Sequence, residues 1–77
     1  MKSVTIYTTP TCVYCKMAKT FFTEKQVAYT EHDVVADMNA RAEMVQKSGQ
    51  LGVPVIDVEG TIIVGFDREA LATALEV

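Results

Sequence analysis

The side chains most able to do chemistry in this chain are two cysteines, Cys12 and Cys15, separated by two residues. Residues three apart on a helix have Cβ atoms about 5–6 Å apart, so a first helical turn can hold such a pair as a disulfide after modest adjustment. A bridge of this kind closes a very small loop and therefore adds little stability. The pair is better suited to reversible thiol–disulfide exchange than to holding a fold together.

The position of Cys12 favours a reactive thiolate. The residues before it are typical of a strand that runs into a turn, and those after it show helical spacing, which predicts Cys12 at a helix N-terminus. Unpaired N–H groups and the helix dipole stabilise negative charge there, and cysteine pKa values fall from about 8.5 to roughly 3.5–7.5 in such settings. We expect Cys12 to be the nucleophile and Cys15, one turn inside the helix, to resolve the mixed disulfide.

Two other interpretations of the cysteine pair are weaker. A structural disulfide is uncommon in the reducing cytoplasm. A structural zinc ion needs four ligands, and the pair together with the single histidine, His32, supplies three at most, so ligands would have to come from elsewhere. We therefore expect no metal site, and we interpret His32 as a structural or exposed residue.

Size, charge and hydropathy limit the remaining possibilities. A chain of 77 residues, 49% hydrophobic and 22% charged, fits one globular domain spanning residues 1–77. The net charge of −3 and the scattered basic residues argue against a nucleic-acid partner. No apolar stretch approaches the roughly 20 residues that cross a bilayer, and the N-terminus lacks the apolar core of a secretory signal. We expect a cytoplasmic protein that binds neither membranes nor nucleic acid.

The rest of the sequence predicts the elements that position the cysteines. Extended patterns cover residues 3–7, 26–33, 54–58 and 61–64, and helical patterns cover residues 13–25, 37–47 and a segment after Asp67. Asp37 and Asp67 are predicted N-caps, Gly49 a left-handed helix end, and Glu59-Gly60 a tight hairpin turn. The order βαβαββα predicts an α/β fold with one βαβ unit, a hairpin and a covering helix. Three methionines are predicted to pack on helix faces, namely Met17, Met38 and Met44.

Three segments resemble the glutaredoxin branch of the thioredoxin superfamily. They are IYTTPTCVYCKMAK around the cysteines, SGQLGVPVIDV, and VGFDREAL, and they occur in the family's order and spacing. The resemblance runs from Val4 to Leu75. It implies a thioredoxin-like fold, with a four-stranded mixed sheet flanked by three helices, and a dithiol–disulfide oxidoreductase activity. No bound organic cofactor is needed for that activity, because both electrons reside on the sulfurs.

The resemblance also implies residues that bind the substrate. Val53-Pro54 matches the family's cis Val-Pro pair, which presents backbone groups to an extended substrate. Residues 65–67 match the segment whose N–H groups hold the γ-glutamyl carboxylate of glutathione, as anions bind at helix N-termini. The residue between the cysteines matches a common active-site tyrosine. The set implied to bind substrate or glutathione is Tyr14, Val53, Pro54, Gly65, Phe66 and Asp67.

The chain also departs from the commonest glutaredoxin pattern. Val13 occupies the place of a proline, and Thr9 that of a lysine that contacts glutathione. These departures, the short length and Gly65-Phe66 resemble NrdH-redoxins, which take electrons from thioredoxin reductase and reduce ribonucleotide reductase. The expected partners are therefore a disulfide-containing protein, with ribonucleotide reductase as one candidate, and either glutathione or thioredoxin reductase as the electron donor.

A second function is left open by the resemblance. Some relatives carry an iron–sulfur cluster held between two chains by the first cysteine and two glutathiones, so a glutathione-dependent iron–sulfur carrier is the alternative. A dithiol motif such as Cys12–Cys15 is less typical of that function than a single cysteine. We expect a monomer, and purification as a colourless monomer would argue against the alternative.

Overall fold

A computed structural model describes residues 2–77 and contains seven elements in the predicted order. Their bounds are β1 Val4–Thr8, α1 Val13–Glu24, β2 Thr30–Asp33, α2 Met38–Ser48, β3 Val55–Val58, β4 Thr61–Val64 and α3 Arg68–Leu75. Among these helices of residues 2–77, none is long and apolar enough to cross a membrane.

The four strands form one mixed sheet in the order β2-β1-β3-β4. Strand β1 is parallel to β2 and antiparallel to β3, and β3 is antiparallel to β4. These directions bring the C-terminal ends of β1, β2 and β4 to the same edge as the N-terminal end of β3. The four-stranded sheet with three helices confirms the predicted thioredoxin-like architecture.

Side-chain caps define the helix ends that the sequence predicts. The carboxylate of Asp37 accepts a hydrogen bond from the N–H of Ala40 at 3.1 Å, and Asp67 does the same for Ala70 at 3.0 Å. Gly49 ends α2 with a φ of 74°, a left-handed conformation that glycine adopts without a Cβ clash. Local chemistry therefore sets where α2 and α3 begin and where α2 ends.

The second strand begins later than predicted. The N–H of Val27 donates to the carbonyl of Phe22 at 2.8 Å, and Gln26 has a φ of 58°, so residues 26–27 close the end of α1. Strand β2 is confined to Thr30–Asp33. The predicted extended segment from residue 26 is therefore wrong at its start, because hydrogen bonds to the preceding helix hold these residues.

The core has one layer on each face of the sheet, because neighbouring residues of a strand point to opposite faces. Ile6 belongs to the layer that contains α1 and α3, where Phe21, Phe22 and Leu71 are almost fully buried. Its neighbour Tyr7 belongs to the second layer, on the opposite face. The buried residues of that layer are Tyr7, Val34, Ala40, Met44 and Val55. The two layers fix β1, and with it the loop that leads to the cysteines.

Candidate active site

The cysteines lie where β1 has ended and α1 begins. Cys12 is the N-cap of α1, and its Sγ accepts a hydrogen bond from the N–H of Cys15 at 3.0 Å. The two residues form a disulfide, with Cα atoms 5.2 Å apart. A thiolate is a stronger acceptor than a disulfide sulfur. An N–H group in this position is therefore suited to stabilise negative charge on Cys12 once the disulfide is reduced.

The two sulfurs differ in their access to solvent. Cys12 is half-buried, whereas Cys15 is 1% exposed and belongs to the buried face of α1. A disulfide outside the protein can approach Cys12 but not Cys15. This asymmetry fits the order of events expected from the sequence, in which Cys12 reacts first.

Val53-Pro54 lies at the same edge of the sheet as the cysteines. The peptide bond between them is cis, as the resemblance implies. Pro54 is buried immediately before β3, whose first residue, Val55, pairs with Tyr7 of β1. The pairing of β3 with β1 therefore fixes the position of Val53-Pro54.

Gly65, Phe66 and Asp67 connect β4 to α3 at this edge. The N–H of Gly65 donates to the carbonyl of Pro54 at 2.8 Å, which joins two segments of the predicted site. Gly65 has a φ of 81°, a conformation that favours glycine. The ring of Phe66 lies 6.3 Å from that of Phe21 in an edge-on arrangement, and Asp67 caps α3.

Exposed apolar side chains surround the cysteines. Tyr14 is 61% exposed and Val13 is 65% exposed, so neither is held in the core. The prediction that helical methionines pack inside is wrong for Met17 and Met38, which are also exposed, and right for Met44. The buried stripe of α1 consists of Cys15, Ala18, Phe21 and Phe22. Val13 and Met17, four residues apart, form a separate outer stripe.

A polar cluster beneath the active-site loop was not predicted. Thr8, the buried last residue of β1, donates to the Glu31 carboxylate at 2.8 Å, and Lys19 of α1 reaches the same carboxylate at 3.0 Å. The hydrogen bonds from Thr8 and Lys19 hold the pKa of Glu31 below its ordinary value. The cluster connects β1, β2 and α1. Only the strand pairing brings Glu31 to Thr8, so sequence spacing gives no signal for it.

His32 lies away from the cysteine helix. Its ring stacks on Tyr7 with centroids 5.6 Å apart, and Tyr7 belongs to the core layer that contains α2. The helix α1 is on the other face of the sheet. This position agrees with the interpretation of His32 as a structural or exposed residue.

The comparison with protein families assigns the chain to one family. The model of the family described as glutaredoxin matches residues 4–63. The chain belongs to the glutaredoxin family. A glutaredoxin-like 8.6 kDa protein from Clostridium pasteurianum, in a rubredoxin operon, is 41% identical over 73 residues, covering 95% of this chain and 97% of that protein. Glutaredoxin 3 of Escherichia coli K12 is 37% identical over 67 residues, covering 87% and 81%.

Solved structures agree with this assignment. A mutant of the thioredoxin-like protein BC3987 superposes with a TM-score of 0.93 at 31% identity, over 100% of this chain and 99% of that one. The NrdH-redoxin of Escherichia coli gives a TM-score of 0.82 at 24% identity, over 92% of each chain, and at that identity it supports the fold alone. This glutaredoxin-family chain is therefore a redox protein with a Cys12–Cys15 pair, and its family carries out thiol–disulfide exchange.

Proposed function

We propose that this protein reduces disulfides, with Cys12 as the attacking thiolate and Cys15 as the resolving thiol. The observation that carries the proposal is the asymmetry of the pair. Cys12 is accessible at the N-terminus of α1 and is capped by an N–H group, whereas Cys15 is 1% exposed. A substrate disulfide reaches Cys12, and only an internal reaction reaches Cys15.

The exchange takes place in two steps. The Cys12 thiolate attacks one sulfur of a substrate disulfide, a bond forms between Cys12 Sγ and that sulfur, and the other substrate sulfur leaves as a thiolate that takes up a proton. Cys15 then loses its proton and attacks Cys12 Sγ, which releases the second substrate thiolate. Two electrons pass from the cysteine pair to the substrate. The protein is left with the Cys12–Cys15 disulfide, which is the state described above.

The substrate segment is bound by backbone and side-chain groups around Cys12. We assign this role to Tyr14, Val53, Pro54, Gly65, Phe66 and Asp67. The half-buried Val53 offers its peptide group to an extended chain, in the manner of strand addition. The substrate is a protein or low-molecular-weight disulfide, with ribonucleotide reductase as a candidate protein, and the reaction takes place on a cytoplasmic monomer.

Two donors can return the electrons. Two molecules of glutathione can reduce the Cys12–Cys15 disulfide and leave as glutathione disulfide, or thioredoxin reductase can transfer electrons from NADPH. Thr9 supplies no positive charge for a glutathione carboxylate, which favours thioredoxin reductase. The donor is tested by NADPH consumption with hydroxyethyl disulfide as substrate, in parallel with thioredoxin reductase alone and with glutathione plus glutathione reductase.

The roles of the two cysteines are tested by serine substitution. Cys12→Ser should abolish turnover with either donor, because no nucleophile remains at the helix N-terminus. Cys15→Ser should retain the first step and accumulate a mixed disulfide with a protein substrate, seen as an adduct by mass spectrometry and removed by dithiothreitol. Full activity of Cys12→Ser, or an adduct on Cys15 in that variant, would contradict the proposed roles.

A further inference from the structure

A groove between α1 and α3 begins at Val13, the residue that follows Cys12. Its volume is about 310 Å³, at the lower end of the range for small-molecule pockets. Val13, Met17 and Phe21 of α1 line it on one side, and Phe66, before α3, lines it on the other. The groove is large enough for a side chain or two, and not for a large cofactor.

The groove is apolar inside and mainly basic at its rim. Met17 is 44% exposed although it lies among apolar neighbours, so its side chain is available to a partner. Lys16 and Arg68 stand at the rim with one acidic residue, Glu24. The guanidinium of Arg68 lies 5.3 Å from the centre of the Phe21 ring, which keeps its charge over the groove. This local positive charge contrasts with the net charge of −3 of the whole chain.

The groove is connected to the exchange site along the chain. Val13 directly follows Cys12, so the groove begins one residue along the chain from the attacking cysteine. Phe66 directly follows Gly65, whose N–H binds the carbonyl of Pro54. A chain segment that places its disulfide on Cys12 can therefore place a neighbouring residue between α1 and α3.

We propose that this α1–α3 groove binds the segment next to the disulfide of a protein substrate, with an apolar side chain between Met17 and Phe66 and a carboxylate beside Arg68. The proposal rests on the proposed function and names its substrate class. Glutathione has no apolar side chain, so it cannot use the groove in this way. The groove therefore selects acidic–apolar protein segments over small disulfides.

The test compares two substrates in every variant. One is a short peptide with a single cysteine, held as a mixed disulfide with 2-mercaptoethanol, with a leucine and a glutamate either before or after the cysteine. The other is hydroxyethyl disulfide, which has neither an apolar side chain nor a carboxylate to place in the groove. For the unsubstituted protein, replacing the peptide leucine by alanine should lower kcat/KM about tenfold, as expected for an apolar side chain in a pocket.

Substitutions in the protein have matched controls on the other face of the sheet. Met17→Gln should lower the ratio of peptide to hydroxyethyl disulfide kcat/KM about fivefold to tenfold, whereas Met38→Gln, at an exposed methionine of α2, should not. Arg68→Gln should lower the ratio about twofold to fivefold for the glutamate peptide and leave it unchanged for a glutamine peptide. Arg41→Gln, at an exposed arginine of α2, is its control.

Binding without chemistry separates this proposal from the proposed function. The same peptides with serine in place of cysteine are labelled, and their binding to the oxidised protein is followed by fluorescence anisotropy. Leucine-dependent binding that Met17→Gln weakens supports the groove even if no disulfide is turned over. Turnover of hydroxyethyl disulfide with equal ratios for Met17→Gln and Met38→Gln, and with no effect of the peptide leucine, would overturn the groove and leave the proposed function standing.

Discussion

The substitution Lys47→Met removes the group that fastens α2 to the sheet. The ammonium of Lys47 donates to the Asp57 carboxylate at 2.8 Å and to the hydroxyl of Tyr7 at 2.9 Å, and it lies 3.3 Å from the Glu43 carboxylate. The Tyr7 hydroxyl in turn donates to Glu43. These contacts raise the pKa of Lys47 above its ordinary value, with the hydrogen bond to Asp57 as the largest cause.

The cost of the change follows from the exposure of the groups. A hydrogen bond to a charged group contributes about 1.5–3 kcal/mol when it is shielded from water. The Lys47 side chain is 31% exposed and that of Asp57 is 16% exposed, so solvent screens the interaction. We expect Lys47→Met to lower the free energy of unfolding by about 1–2 kcal/mol at neutral pH, and each kcal/mol lowers Tm by about 4–8 °C in a domain of this size.

The change should also alter how stability depends on pH. Burial acts to raise the pKa of Asp57, but the hydrogen bonds from Lys47 and from the N–H of Gly60, with the charge of Lys47, hold it below its ordinary value. A depressed folded-state pKa gives stability that is present above the unfolded-state value and is lost as the pH falls through the folded-state value. Without Lys47, only the hydrogen bond from the N–H of Gly60 opposes the effect of burial on the pKa of Asp57. The pKa of Asp57 then rises, and the stability lost on acidification through Asp57 shrinks or changes sign.

The assay is urea unfolding of the oxidised protein at several pH values from neutral to about pH 3, where carboxylates titrate. Lys25→Met is the matched control, because Lys25 is exposed and forms no ion pair with any residue in the described range 2–77. An equal loss at neutral pH and an equal acid dependence in the two variants would refute the reasoning.

Two further predictions concern the core and the electron donor. Phe22→Ala, at a residue that is 0% exposed, should lower the free energy of unfolding by about 3–5 kcal/mol in urea, and a loss below 1 kcal/mol would mean that the site collapses around the cavity. Thr9→Lys should lower the KM for glutathione about twofold to fivefold in the coupled assay, because it places a cation where the commonest glutaredoxin pattern has the lysine that contacts glutathione. Thr11→Lys, at a neighbouring exposed threonine, is the control, and equal KM values in the two variants would show that the position of the charge is unimportant.

Interactions between residues close in sequence are sufficient to predict much of the fold. The caps at Asp37 and Asp67 depend on hydrogen bonds three residues along the chain, so the sequence shows them directly. Glu59 and Gly60 both have positive φ, 50° and 97°, as expected for a two-residue hairpin. The start of β2 cannot be predicted from the local sequence in this way. Val27 and Tyr29 alternate as in a strand, and only the hydrogen bond of Val27 to the end of α1 shows otherwise.

The candidate site likewise has one part that a short stretch of sequence predicts and one part that depends on the fold. The reactivity expected of Cys12 follows from its spacing to Cys15 and from the helix that begins after it, so a short window of sequence contains the argument. The α1–α3 groove depends on Met17 and Phe66, which are distant in sequence and meet only because two helices lie on the same face of the sheet. The sequence predicts Met17 in the core because apolar spacing alone does not distinguish the buried stripe of α1 from the outer stripe.

The strand directions explain why the residues that we propose to bind substrate lie at the same edge of the sheet as the cysteines. Strand β3 runs antiparallel to β1, and β4 runs antiparallel to β3, so β4 ends where β1 ends and β3 begins there. Val53-Pro54 and residues 65–67 are consequently brought to the edge where Cys12 caps α1, although they lie more than 40 residues further along the chain. We expect a change of the residues around Cys12 to alter the reactivity of the sulfur, and a change at Phe66 or Met17 to alter which substrate segment the protein prefers. On the proposed function, the two properties can therefore vary independently on the same sheet.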